Sequence, residues 1–146
     1  ANALEAQQKA MKLVLPQANE FAEMKENDYG SYAAATDEVG NPVGYAITAK
    51  GKGGYNGSIT LMVGIDTEGK VVNLSFLEID ETPSIGGKVP KNENFISQFK
   101  GLTGSAALKK NGGTIDAVSG ATKTSTAVTD AVNNALLCYR EVSANG

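Results

Sequence analysis

Apolar side chains alternate with small or polar ones through the middle of this 146-residue chain, and this pattern determines the class of fold. Segments of strand length with this period occupy residues 31–36, 43–49, 58–65 and 71–77. The residues expected to share a face are Val43, Tyr45, Ile47 and Ala49 in the second segment, and Ile59, Leu61, Val63 and Ile65 in the third. Turns at residues 37–42 and 66–70 separate each pair, which predicts an antiparallel meander of half-buried strands.

Apolar residues recur at helical spacing on both sides of the meander. The first stripe comprises Leu4, Gln8, Met11, Leu15 and Ala18. Because the residue before a proline avoids the α conformation, Pro16 predicts that this helix ends near Leu15. The last stripe begins after Thr124 and comprises Ala127, Val128, Ala131, Val132, Ala135, Leu136 and Tyr139. Cys138 lies at its flank, where we expect a small, inert core thiol.

Between the meander and the last helix, residues 92–102 predict a short helix that buries Phe95, Phe99 and Leu102. Residues 112–113 indicate a turn, and residues 114–115 a last short strand. The expected fold is therefore α+β: an antiparallel β meander with an N-terminal helix, a short middle helix and a C-terminal helix packed on the sheet. One domain over residues 1–146 is expected from the length.

Composition removes several classes of site. The chain has no His and a single Cys, which excludes His-based catalytic triads, His-ligated zinc or haem, and iron–sulfur clusters. We predict no catalytic residue and no metal site. A formal charge of −3 argues against nucleic acid as a partner. The chain begins at Ala1 rather than Met, so we expect that a signal or membrane anchor preceded it.

Two loops are rich in glycine or proline. Residues 50–57 contain four glycines, two lysines and a tyrosine, which fit either a loop around an anionic or planar ligand or a flexible hairpin loop. Residue content alone favours the hairpin loop. Residues 81–90 hold two prolines and two glycines, and we expect a shaped loop of the kind that carries binding residues.

Four hydroxyl residues and a glycine fall within residues 119–125, directly before the last helix. The start of a helix offers unpaired N–H groups and partial positive charge, and Lys123 adds a formal charge, so an anion site is one interpretation. The other is that Thr122, Thr124 or Ser125 only caps the helix. Spacing alone favours the cap.

Residues 116–122, Asp-Ala-Val-Ser-Gly-Ala-Thr, resemble the flavinylation motif of the FMN-binding domain family. That family includes the flavin-bearing subunit designated G in the Rnf electron-transport complex and the one designated C in the sodium-translocating NADH:quinone reductase. The segment Glu-Thr-Pro-Ser-Ile-Gly at residues 81–86 is similar to a family segment beside the flavin, with Ser84 in place of a glycine. Residues 12–18 resemble the family's segment after its membrane helix.

The resemblance implies a phosphoester between FMN and Thr122, made by a flavin transferase that uses FAD as donor and Mg²⁺ in its own site. It also implies flavin contacts near Glu81 and Thr82, and a role for Asp116 in shaping the motif or meeting the transferase. As a turn residue, Asp116 would instead bond its own backbone. The other expected cofactor contacts are Ser119, Gly120, Ala121, Lys123, Thr124 and Ser125.

The implied function is electron carriage, with no overall reaction by the chain alone, beside the other membrane subunits of an Rnf-type complex. The implied location is the extracytoplasmic face of the bacterial membrane. The segments would be a membrane-proximal helix (1–18), the meander (31–77), a flavin-contacting loop (81–90), and the motif with the C-terminal helix (116–143). Alternatives are a flavinylated module of an extracellular electron-transfer chain or reductase, a module that reversibly binds a phosphorylated ligand, and a structural domain.

Overall fold

A computed structural model describes residues 3–52, 59–79, 92–119 and 121–145. The helices are α1 (Ala3–Val14), α2 (Glu93–Ser97) and α3 (Thr122–Asn145), with a 3₁₀ turn at Lys109–Asn111. The strands are β1 (Glu20–Phe21), β2 (Lys25–Asn27), β3 (Gly30–Thr36), β4 (Pro42–Gly51), β5 (Ile59–Ile65) and β6 (Val71–Ile79). No helix among these residues is long and apolar enough to cross a membrane.

The strands form one antiparallel sheet in the order β1-β3-β4-β5-β6, and β2 also pairs with β3. Helix α3 packs on one face, mainly against β4 and β5, and α1 packs on the other, mainly against β6 and β5. The predicted α+β fold, with its N-terminal, short middle and C-terminal helices, is therefore confirmed.

The larger core lies between the sheet and α3. The face of β5 predicted from the alternation is buried there, and so are the first six residues of the predicted α3 stripe, with Tyr139 packed at the margin. The smaller core lies under α1 and includes Met11, Val14, Leu15 and Ala18. Burial of apolar area on both faces of the sheet is the main source of stability for such a fold.

The two shortest strands have no counterpart in the predicted meander. Strands β1 and β2 pair with β3 through backbone groups and are too short to show an alternation, although Phe21 of β1 packs against the α1 core. Val43 also differs from its predicted face, since it packs in the α1 core while Ile47 and Ala49 lie under α3. The cause is Gly44, whose φ of +141° coincides with a register shift between β3 and β4.

Two further elements are shorter than predicted. Helix α2 occupies only part of residues 92–102, begins at the side-chain cap of Asn92, and is followed by turns. Phe95 and Phe99 are nonetheless buried and meet edge to face, with ring centroids 5.2 Å apart. The strand predicted at residues 114–115 is a single parallel bridge between Leu108 and Ile115.

The single cysteine is a core residue, as expected. Cys138 is fully buried in the α3 layer, and Asn27 Nδ2 donates a hydrogen bond to its carbonyl at 3.3 Å. Burial raises the pKa of the thiol above its ordinary value, which disfavours the reactive thiolate. Cys138 is therefore a packing residue rather than a nucleophile.

Candidate functional site

The segment that leads into α3 is anchored at three residues. Ile115 is buried and held by the bridge to Leu108, and the backbone of Asp116 is held by the side chain of Gln98. Val118 is buried, and its N–H donates to Ser125 Oγ at 3.0 Å. Around these anchors, Ala117 and Ser119 are exposed.

Thr122, the residue that matches the flavin-bearing threonine of the motif, is the first residue of α3 and is exposed. An i→i−4 hydrogen bond at the start of the helix runs from Ser125 N–H to Ala121 O at 2.9 Å. The N–H groups in the first turn of a helix are the ones that can serve a cap or an anion. Lys123 is exposed beside them.

Among the hydroxyl residues proposed as helix caps, Ser125 forms hydrogen bonds to the segment that precedes α3. Its Oγ donates to Ala121 O at 2.8 Å and accepts the Val118 N–H, which ties the motif to the first turn of the helix. Thr126 and Thr129 likewise donate to the carbonyls four residues before them, at 2.9 and 2.8 Å. These three hydroxyls are engaged within the protein.

Thr124 is different. Its side chain is fully buried, and its Oγ1 has no hydrogen-bond partner in the described part of the chain. A buried hydroxyl without a partner costs free energy, and in a native protein such a group calls for an explanation, such as local strain, an ordered water or ion, or a functional role. Thr124 is the third residue of α3. Its hydroxyl is therefore suited to form a hydrogen bond with a group bound at the start of the helix.

Asp116 lies at the outer end of the motif. Its carboxylate is exposed and lies 3.0 Å from Lys109 Nζ, and its backbone N–H and C=O both bond to Gln98. A cleft of about 340 Å³ opens beside it, between residues 116–119 and the side of α2 formed by Asn92, Asn94, Phe95 and Gln98. Sequence reasoning missed Gln98, since nothing local marks a contact 18 residues away.

Three parts of the predicted site lie outside the described residues. They are the loop with Glu81 and Thr82, Gly120 of the motif, and residues 53–57 of the glycine-rich loop, for which a ligand-binding role was the less favoured interpretation. The described start of that last loop is held by α3: Lys52 N–H donates to Asp130 Oδ2 at 2.9 Å, and Asn134 Nδ2 donates to Lys50 O at 2.8 Å.

One protein-family model covers the segment that holds this site. The family model for the FMN-binding domain matches residues 54–137, which include the whole motif and most of α3. The chain belongs to the FMN-binding domain family. This membership confirms the resemblance seen in residues 116–122, and it identifies FMN as the ligand of the domain.

Several similar proteins share one name, which describes the subunit designated G of an ion-translocating oxidoreductase complex. The protein from Shewanella baltica (strain OS223) is 44% identical over 105 residues, which cover 67% of this chain and 50% of that protein. The protein from Methanosarcina acetivorans is 36% identical over 141 residues, which cover 90% and 74%. The Yersinia pestis protein is 41% identical over 103 residues, which cover 66% and 49%. The chain thus spans about half the length of most of these relatives.

The described residues fit the phosphate end of FMN. A phosphate needs several donors, and the start of α3 offers backbone amides, the positive end of the helix dipole and the nearby Lys123. The unpartnered Oγ1 of Thr124 adds a buried hydroxyl within the same first turn.

Because the Thr124 hydroxyl has no hydrogen-bond partner among the described residues, we expect Thr124→Val to stabilise the protein without FMN. Valine keeps the shape and removes a buried group without a partner, so the free energy of unfolding should rise by about 1 kcal/mol in urea denaturation. The matched control is Thr129→Val on the same helix, where a hydroxyl bonded to Ser125 O is lost and stability should fall. Equal destabilisation of both variants would contradict this assignment.

Proposed function

We propose that this chain carries FMN attached covalently to Thr122 and passes electrons through it. The observation that carries the proposal is the setting of Thr122: an exposed hydroxyl residue that opens α3 at the end of the flavinylation motif. The bound flavin would supply the one- and two-electron chemistry, and the protein would supply attachment, orientation and electrostatics.

The proposed attachment balances without oxidation or reduction. Thr122 Oγ1 forms a bond to the phosphorus of the FMN half of FAD, and the bond from that phosphorus to the bridging oxygen of the diphosphate breaks. AMP leaves with that oxygen, and the hydroxyl proton is released. A separate flavin transferase with its own Mg²⁺ would catalyse the step, and an exposed acceptor residue suits a reaction inside another protein.

Within this chain, the amides of residues 122–124 and the helix dipole would hold the phosphoester, with Thr124 Oγ1 bonded to one of its oxygens. Gly120 and Ala121 would let the backbone approach closely, and Ser119 and Lys123 would flank the phosphate. Ser125 would act indirectly, because its hydrogen bonds to Val118 and Ala121 hold the preceding segment in place. Glu81 and Thr82 would lie near the polar edge of the ring, as the family resemblance implies.

The names of the relatives support a place in an ion-translocating, Rnf-type membrane complex. There the domain would lie at the extracytoplasmic face, as part of an anchored protein that exchanges electrons with the other subunits. A redox carrier of this kind catalyses no overall reaction alone.

The decisive experiment is intact mass spectrometry after co-expression with a flavin transferase. We expect the wild-type chain to gain the mass of one FMN less one water, and peptide mapping to place the gain on the peptide that contains Thr122. Expression without the transferase should give the bare chain. If the wild type stays bare while a known acceptor is loaded in parallel, the covalent assignment is wrong and a reversibly bound phosphorylated ligand becomes the better hypothesis.

A further inference from the structure

The side chain of Gln98 bonds to both polar backbone groups of one motif residue. Its Oε1 accepts the Asp116 N–H at 2.6 Å, and its Nε2 donates to Asp116 O at 3.0 Å. Gln98 is the C-cap residue of α2, 18 residues before Asp116. A planar amide that meets a backbone residue in this way fixes both its position and the direction of its peptide groups.

No other described contact of Asp116 fixes its backbone so firmly. The ion pair with Lys109 joins side chains that are 63% and 66% exposed, and ion pairs of that exposure contribute little. The next anchor along the motif is Val118, and the residues after it lead to Thr122. Ile115, directly before the motif, and Val118 are held by other contacts, so loss of the Gln98 contact would free the two residues between them, Asp116 and Ala117.

We propose that Gln98 is a positioning residue for the attachment of FMN: it holds Asp116 and Ala117, the first two residues of the motif, in the arrangement that a flavin transferase binds, with Thr122 presented beyond them. The proposal rests on the function proposed above. An acceptor protein that is already ordered binds its enzyme without a free-energy cost of ordering. When only a fraction of the acceptor has the competent arrangement, its apparent affinity for the enzyme falls by that fraction. Gln98 itself contacts neither the phosphorus nor the acceptor oxygen.

The test is steady-state kinetics of a flavin transferase, with saturating FAD and this protein as the varied acceptor. For Gln98→Leu we expect KM for the acceptor to rise about tenfold while kcat stays near the wild-type value, because the motif samples other arrangements. Gln98→Glu keeps the acceptor for the Asp116 N–H and loses the donor to Asp116 O, so its KM should lie between the two. Amide hydrogen exchange at Asp116 should speed up in the leucine variant.

The chain contains a matched control. Asn133 holds Ala106 by the same pair of bonds, with Oδ1 accepting from Ala106 N at 2.6 Å and Nδ2 donating to Ala106 O at 2.8 Å. Asn133→Leu should lower the melting temperature and leave KM unchanged. A wild-type KM in Gln98→Leu, or an equal rise in both leucine variants, would overturn the positioning role. A wild type that is never loaded would instead overturn the proposed function.

Discussion

Replacement of Thr122 by alanine is expected to abolish covalent loading with FMN completely. Alanine lacks the only atom that the proposed phosphoester can use at this position, and the start of α3 should persist because alanine favours helix. Intact mass after co-expression with the transferase should show only the bare chain, and the purified protein should be colourless after denaturing gel filtration.

Thr126→Ala provides the matched control for that loss. Thr126 lies one turn further along α3, and its hydroxyl donates to Thr122 O at 2.9 Å, so its removal perturbs the same turn without removing the acceptor. We expect full loading of this variant, and partial or full loading of Thr122→Ser, which keeps a hydroxyl. If Thr122→Ala still gains the mass of one FMN less one water, the attachment site is another hydroxyl of residues 119–126.

The fold was predictable because its main elements bury whole faces. The alternation in β5 and the helical stripe of α3 each mark one buried face. Both elements were predicted from the sequence with nearly correct boundaries. Strands β1 and β2 are only two and three residues long and pair through backbone groups, so no side-chain pattern marks them. Val43 changed face because one glycine conformation shifts the register, which alternation alone does not encode.

The site was predictable to a different extent. The run of hydroxyl residues at 119–125 is a local signal and was expected directly before the last helix, and α3 begins within that run, at Thr122. The contact of Gln98 with Asp116 and the unpartnered state of the Thr124 hydroxyl depend on how α2, the motif and α3 pack, so they emerge only in the folded chain. Residue content also left Ser125 ambiguous between cap and ligand, and its two hydrogen bonds place it behind the loop.

The position of α3 depends on a glycine, and Gly51→Ala should destabilise the protein by about 3 kcal/mol, as overpacking against rigid atoms does. A Cβ at Gly51 would lie 1.8 Å from Ala127 O and 2.7 Å from Ala131 N. Both atoms belong to the backbone of α3, so no side chain can turn aside and the helix must move off β4. Urea denaturation of the two proteins measures the difference.

Gly40→Ala separates this steric effect from the general cost of replacing a glycine. Gly40 has a φ of +87° and open space around its Cβ position, so alanine there should cost about 1 kcal/mol through backbone strain alone. Gly51 is also tied to the site, because Ala127 lies just beyond the turn that begins at Thr122. Gly51→Ala should therefore also slow loading with FMN at temperatures where the variant is folded, whereas Gly40→Ala should not. Equal stability losses in the two variants would show that α3 yields to the added methyl group without cost.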